Sequence, residues 1–190
     1  MSSLFYRVKG KPFLTLKLFF RGVKWSWQRA RKGYCTSDLF GVSNWFLEIV
    51  PNMLDEIKAN ACAFPSVLMD EAWESVGIKT FEETLSASEE DRRKATAYGQ
   101  KKWEEILTRT AFLFREANSD TCTRKNAYES EYLDMQKELH AKGKNLLECP
   151  ECEEVVNRYM EGQRALYVYQ EKCRKEAFER FYEWFYNFAC

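Results

Sequence analysis

The chain has 190 residues, which is the length of one domain, and its 29 basic residues balance its 29 acidic residues. The neutral total excludes a uniformly basic nucleic-acid coat and an acidic disordered tail. Eight glycines and four prolines are few, which excludes collagen-like chains and disfavours an all-β fold with many tight turns. No apolar run approaches the roughly 18 residues that a membrane span needs, so we expect no membrane association.

The charge is unevenly distributed along the chain. Residues 1–37 contain nine of the 29 basic residues and none of the acidic ones, which leaves residues 38–190 with 20 basic and 29 acidic residues. This asymmetry indicates a basic surface for an anionic partner, a basic helix docked on an acidic body, or packing between subunits.

The seven cysteines predict a reduced, intracellular protein. Their number is odd and their spacing irregular, and a chain of this length needs no disulfide framework. The N-terminal apolar run at 13–20 is interrupted by Lys17, and no small-x-small cleavage site follows it. We therefore expect this run to be part of the mature fold rather than a secretion signal.

The periodicity of the apolar residues predicts helices in the first half of the chain. Apolar positions from Leu16 to Ala30 predict a basic helix over about 14–32, which Gly33 ends. A second helix is predicted to begin at 36–38, with Ser37 as its cap. Residues 59–88 are irregular, and short helices are expected near 70–76 and 81–85.

Three longer helices are predicted in the second half. The first follows Ser88, a capping residue, and the next is capped by Thr121 or Thr123. The last begins near Pro150 and extends for about 38 residues unless Gly162 breaks it. No strand-like alternation is present. The sequence thus predicts one all-α domain over residues 1–190, a bundle of about five helices.

The end of the last helix is rich in aromatic residues. Apolar groups lie on more than one of its faces, which is typical of a helix that is buried on several sides or forms a subunit contact. The candidate interface residues are Phe181, Trp184, Phe185 and Phe188.

Cys149 and Cys152 form a CxxC pair. Two thiolates at this spacing can share one metal ion, but a structural zinc needs two more ligands, and these would have to come from His140, Cys122 or Cys173. Redox chemistry would favour a βαβ context, which is absent. We interpret the pair as two partly exposed thiols at a helix start, with a structural zinc as the alternative.

No constellation in the sequence is typical of catalysis. His140 is the single histidine and lies in a charged helical stretch without a glycine-framed nucleophile. The chain has no GxGxxG, Walker or HExxH motif. We therefore expect no enzymatic activity and no cofactor.

The strongest candidate site is the corner after the first helix, where basic and aromatic residues meet. Free amides at the next helix start favour an anion, and neighbouring aromatic rings can stack on a base. The candidate ligand-binding residues are Lys24, Arg29, Arg31, Tyr34 and Trp45. The alternative is that Asp38 pairs with Arg29 or Arg31 to fix the corner and that Trp45 belongs to the core.

The same corner resembles a motif of small helical proteins that phages and prophages of gut Firmicutes encode. Their pattern R-G-Y-x-x-x-D-φ-W, followed by I-x-P-x-L, is matched by Arg31 to Tyr34, by Asp38, and by 45–51 with its mid-helix proline. A W-x-x-I-L match at 103–107 and the aromatic end at 181–188 extend the resemblance. Lys32 and Phe40 depart from the pattern. The resemblance implies a phage accessory protein in the cytoplasm of a bacterial host, with no catalytic residue to carry over.

Three functions are consistent with these features. The first is counter-defence by sequestration of an anionic, nucleotide-type signal molecule. The second is a protein–protein inhibitor or structural adaptor of a host defence protein that acts through the aromatic C-terminal helix, since aromatic anchors dominate binding energy. The third is nucleic-acid binding through the basic N-terminal helix. A homo-oligomer is expected in each case.

Overall fold

A computed structural model describes residues 12–38, 41–144 and 149–188, and within these ranges the regular structure is helical, with no strand. The predicted all-α fold is confirmed. Five long helices and two short ones occur where the periodicity predicts them. They are α1 (Pro12–Lys32), α2 (Val42–Asn60), α3 (Met69–Glu74), α4 (Phe81–Ser86), α5 (Glu89–Ala117), α6 (Glu129–Ala141) and α7 (Glu153–Trp184).

The chain divides into two compact units, residues 1–46 and 47–190. The first contains α1 and the bend after it. The second contains α3 to α7 and most of α2. A single domain over 1–190 stays a prediction. The basic residues Arg7, Lys9 and Lys11 lie outside the described residues.

None of the helices in the described part of the chain combines the length and the apolar character that a membrane crossing requires.

The core of unit 47–190 is built on α5. Ser88 caps this helix as predicted, because its hydroxyl accepts a hydrogen bond from the amide of Asp91 at 3.1 Å. Buried residues then recur at helical spacing over the whole length of α5. They include Ala95, Gly99, Trp103, Ile106, Leu107, Ala111, Phe114 and Ala117.

The C-terminal helix α7 packs against α5 through aromatic rings. Ala177 is fully buried, and its small side chain is compatible with close approach of the two helices. Trp103 and Phe114 of α5 lie about three turns apart, and each contacts two rings from the C-terminal segment. The ring pairs are Trp103–Trp184 at 5.7 Å, Trp103–Phe188 at 5.8 Å, Phe114–Phe178 at 5.4 Å and Phe114–Phe181 at 5.7 Å.

Two predicted helix starts are wrong. Helix α2 begins at Val42, so Ser37 is not its cap; Asp38 instead turns back towards α1. Helix α6 begins at Glu129. Thr121 and Thr123 do not cap it, because their hydroxyls donate to the Arg115 carbonyl and to the Glu116 carboxylate.

Helix α7 continues through Gly162 for 32 residues, so the break considered there is absent. A Cβ at Gly162 would lie 2.1 Å from Oδ1 of Asn126, whose Nδ2 donates to the carbonyl of Tyr159. The glycine therefore lets the loop before α6 approach α7 closely, at a helix-propensity cost of about 1 kcal/mol.

We expect Trp103→Ala to destabilise unit 47–190 by about 3–5 kcal/mol, because the side chain is buried and supports two rings of the C-terminal segment. Urea unfolding followed by circular dichroism measures the loss. Phe112→Ala is the matched control on the same helix, since Phe112 is 40% exposed and should lose less than about 1.5 kcal/mol. Equal losses in the two variants would show that α5 does not organise the core.

Candidate functional site

The bend after α1 is built on a glycine and an aspartate. Gly33 has a φ of +78°, the left-handed conformation that ends many helices, and its amide donates to the carbonyl of Arg29 at 2.8 Å. Two residues later Cys35 is buried, and its amide donates to Oδ2 of Asp38 at 2.7 Å. The chain is therefore held in a tight turn between residues 33 and 38.

Arg29 and Asp38 close this turn with two hydrogen bonds. Nε of Arg29 donates to Oδ2 at 3.1 Å and Nη2 donates to Oδ1 at 2.5 Å, the two-pronged geometry of a strong charge-assisted pair. The Arg29 guanidinium holds the pKa of Asp38 far below its usual value of 3.8. The structure thus pairs Arg29 with Asp38, in agreement with the alternative interpretation that this ion pair fixes the corner.

The remaining cations of α1 lie on one exposed face together with aromatic rings. Phe20, Lys24, Trp27 and Arg31 follow one another at spacings of four, three and four residues, which places them side by side on a helix. Phe20 is 62% exposed and Trp27 58% exposed, and both basic residues are exposed as well. We call these four residues the α1 face.

Two cations of the α1 face are available to a ligand. None of the ion pairs found among the described residues involves Lys24 or Arg31. The Arg31 guanidinium lies 5.4 Å from the centre of the Trp27 ring, so a charged group and a flat apolar surface adjoin. Arg21 is placed in the same way at 4.7 Å from the Trp25 ring.

The other predicted ligand residues are placed differently. Tyr34 lies at the bend and is 44% exposed, whereas Trp45 is half-buried in the first turn of α2. Trp27 was not among the predicted site residues, because its position assigned it to the apolar stripe of α1. The signal that would have identified Trp27 is the pair of basic residues on the same face, one three positions before it and one four positions after it.

The most polar part of the core surrounds Glu116 on α5, which is fully buried. Its carboxylate accepts hydrogen bonds from the amide of Thr123 at 2.9 Å, the hydroxyl of Thr123 at 3.0 Å, the hydroxyl of Tyr169 at 2.8 Å and the thiol of Cys122 at 3.7 Å. Burial raises the pKa of Glu116, but these donors together outweigh it and bring the pKa below its usual 4.5.

The Glu116 cluster is suited to holding the fold rather than to proton transfer. The hydrogen bond to Glu116 and burial both raise the pKa of Tyr169, so the phenol keeps its proton while the carboxylate stays charged. Arg124 lies 3.8 Å from the centre of the Tyr169 ring and supplies a compensating positive charge. Both carboxylate oxygens are engaged by donors, so the cluster ties the loop after α5 to α7.

Cys149 and Cys152 are buried and joined by a disulfide, so the expectations of two partly exposed thiols and of fully reduced cysteines are wrong. They pack against Leu139 and Met135 of α6, which gives both side chains an apolar environment. Sulfurs bonded to each other offer no thiolate to a metal. Within the described ranges, no three His, Cys, Asp or Glu side chains come together as a metal site.

An open hollow of about 430 Å³ lies beside the start of α7. Three carboxylates and one guanidinium line it, and that guanidinium already pairs with Glu131 at 2.6 Å. A negatively lined hollow does not suit an anion. The lining residues are Pro150, Glu153, Glu154, Asn157, Arg158 and Glu161.

The predicted interface residues are divided between the core and the surface. Phe181, Trp184 and Phe188 are half-buried against rings of α5, whereas Phe185 is 52% exposed. Tyr182 and Tyr186 beside them are 83% and 88% exposed.

Comparison with known proteins finds no relationship from which a function could be transferred. No family model matches the chain, and neither a curated protein nor a solved structure matches it significantly.

We expect Asp38→Asn to open the bend, because it removes one charge of the Arg29 pair and weakens the acceptor of the Cys35 amide. The buried thiol of Cys35 should then react several-fold faster with a maleimide, as measured by peptide mass spectrometry. Asp120→Asn, an exposed aspartate, is the matched control. An unchanged Cys35 rate in Asp38→Asn would contradict the role given to this pair.

We expect Glu116→Gln to cost about 2–3 kcal/mol of stability at pH 7, because an amide nitrogen would face the donors that now surround the carboxylate. Since folding lowers the pKa of Glu116, its contribution is present above pH 4.5 and is lost as the pH falls through the lowered pKa. Urea unfolding should therefore show a difference between variant and wild type that shrinks in acid.

Glu105→Gln, on an exposed side of the same helix, is the control for a change of the same type. A difference between Glu116→Gln and the wild type that is the same at neutral and acidic pH would contradict an ionised Glu116.

Proposed function

We propose that the protein is a non-enzymatic binding protein whose α1 face holds an anionic, nucleotide-type ligand. The observation that carries this proposal is the placement of Lys24 and Arg31 on either side of Trp27 on one exposed helix face. Cations bind phosphates and an exposed indole ring stacks on a base, so both parts of a nucleotide find a complementary group.

The spacing of the cations favours a ligand with more than one phosphate. Lys24 and Arg31 are seven residues apart, which is about 10 Å along the helix. A dinucleotide can place one phosphate near each of the two cations and a base over the ring between them. A dinucleotide signal is therefore the ligand class that fits best.

The arrangement of charge in the α1 face supports a negatively charged partner over a neutral one. Helix α1 has no acidic residue, so nothing on the helix itself competes for its cations. Arg29 is held by Asp38, which balances its charge within the bend, so it is not placed as a direct ligand contact. The resemblance to phage-encoded helical proteins supplies the setting of the proposal: sequestration of a host defence signal in the bacterial cytoplasm.

Calorimetry with cyclic dinucleotides and ADP-ribose derivatives as probes tests the proposal. We expect one probe to bind the wild type, with an affinity that falls as salt rises. Arg31→Glu should raise its Kd at least about tenfold through like-charge repulsion, and Trp27→Ala should do so through lost stacking.

The matched control is Lys101→Glu, which makes the same charge reversal at an exposed position of α5 and should leave the Kd unchanged. Absence of binding by every probe would overturn the proposal. Binding of long single-stranded oligonucleotides in preference to every dinucleotide would also overturn it, in favour of nucleic-acid binding.

A further inference from the structure

Helix α7 carries a second row of residues beside the face that packs against α5; five of the eight are exposed and three are half-buried, and Phe178 and Phe181 of the row also contact Phe114 of α5. Eight positions follow one another at alternating spacings of four and three, the heptad pattern with which one helix packs along another. They are Met160, Arg164, Tyr167, Glu171, Arg174, Phe178, Phe181 and Phe185. We call this row the α7 seam.

Four of the five apolar members of the α7 seam are exposed, and the fifth, Phe181, is half-buried against Phe114. Tyr167 is 61% exposed, Phe185 52%, Met160 46% and Phe178 45%, although Phe178 also touches Phe114 with its inner edge. Phe185 follows the helix directly and keeps helical dihedral angles, so it continues the row. Aromatic and apolar side chains aligned over about 38 Å are more than the scattered exposed residues of an ordinary surface.

The composition of the seam is symmetric about the midpoint between Lys172 and Cys173. Positions at equal distance from this midpoint carry complementary side chains. Two pairs consist of apolar residues, one pairs the cation Arg164 with an aromatic ring, and one pairs Glu171 with Arg174. The four pairs are Met160 with Phe185, Arg164 with Phe181, Tyr167 with Phe178, and Glu171 with Arg174.

We propose that the α7 seam is a homodimer interface in which a second copy of this chain lies antiparallel along it. A two-fold axis through the midpoint brings each position opposite its symmetric partner, as an isologous contact requires. Glu171 and Arg174, which pair within one helix, then also pair across the axis in both directions. In the dimer, Glu171 and Arg174 of the two copies form one cluster of four charged residues. Each side chain in it has an opposite charge on its own helix and another on the second copy.

A parallel arrangement of the two helices is disfavoured by the same charges. In a parallel pair each residue lies opposite its own copy, so Glu171 would face Glu171 and the two arginines of the seam would face themselves. Like charges in register destabilise a helix pair, whereas the antiparallel arrangement pairs opposite charges and buries the aromatic residues together. The seam is thus specific for a second copy in one orientation.

The dimer proposal is independent of the proposed function, because the α7 seam and the α1 face share no residue. Sedimentation equilibrium tests it with the full chain. The wild type should be a dimer at about 100 µM. Glu171→Arg and Arg174→Glu should each raise the dimerisation Kd at least about tenfold, because each puts four like charges around the axis.

The decisive measurement is a mixture of the two single variants. One chain then carries two arginines at 171 and 174 and the other carries two glutamates, so an antiparallel heterodimer regains opposite charges across the axis. We expect the mixture to form dimers with an affinity near that of the wild type. A purely intrahelical role of Glu171 and Arg174 predicts no recovery on mixing.

Lys172→Glu, a charge reversal on a different side of α7, is the control and should leave the dimer intact. Tyr167→Glu should dissociate the dimer by burying a charge, with helical content by circular dichroism confirming that the chain remains folded. A monomeric wild type, a dimer that resists Tyr167→Glu, or a mixture of single variants that stays monomeric would each overturn the proposal.

Discussion

Stacking of the C-terminal aromatic rings on Trp103 and Phe114 is the contact on which unit 47–190 depends. These two side chains are among the most deeply buried in the protein, and each receives two rings from the segment that ends the chain. Rings of this size contribute both buried area and favourable edge-to-face geometry. This packing occupies the inward side of α7, and the α7 seam runs beside it, sharing Phe178 and Phe181 with the core.

Polar contacts then fix the loops that the aromatic packing leaves open. Glu116 holds the turn after α5 with three hydrogen bonds and joins it to α7 with a fourth, and Arg29 with Asp38 holds the bend after α1. Both are carboxylates whose pKa lies below its usual value, so both contribute stability at neutral pH that acid removes. Lys24 and Arg31 of the α1 face have no ion pair among the described residues, and there we propose that a ligand supplies the opposite charge.

The sequence predicts the helices well and their starts less well, for a physical reason. Apolar spacing fixes which stretches are helical, and Ser88 is found as the cap it was predicted to be. Ser37 and Thr123 are predicted as caps because their oxygens often cap helices, yet hydroxyl and carboxylate oxygens form turns and long-range contacts equally well. Here the Thr123 hydroxyl donates to the Glu116 carboxylate, and the Asp38 carboxylate accepts from the Arg29 guanidinium. Periodicity places Trp27 on the apolar stripe of α1 but does not predict that its ring is exposed. The spacing of apolar residues shows which of them share one side of a helix, not what packs against that side.

Fluorine-labelled tryptophan tests in one spectrum both the binding surface on α1 and the closed core of α5 and α7. Each tryptophan gives its own resonance, and Trp27→Phe and Trp103→Phe identify the two that matter. On addition of the dinucleotide probe that binds, we predict that the Trp27 resonance shifts with saturation while the Trp103 resonance stays in place. A Trp27 resonance that does not move, or one that moves less than that of Trp103, would contradict the account.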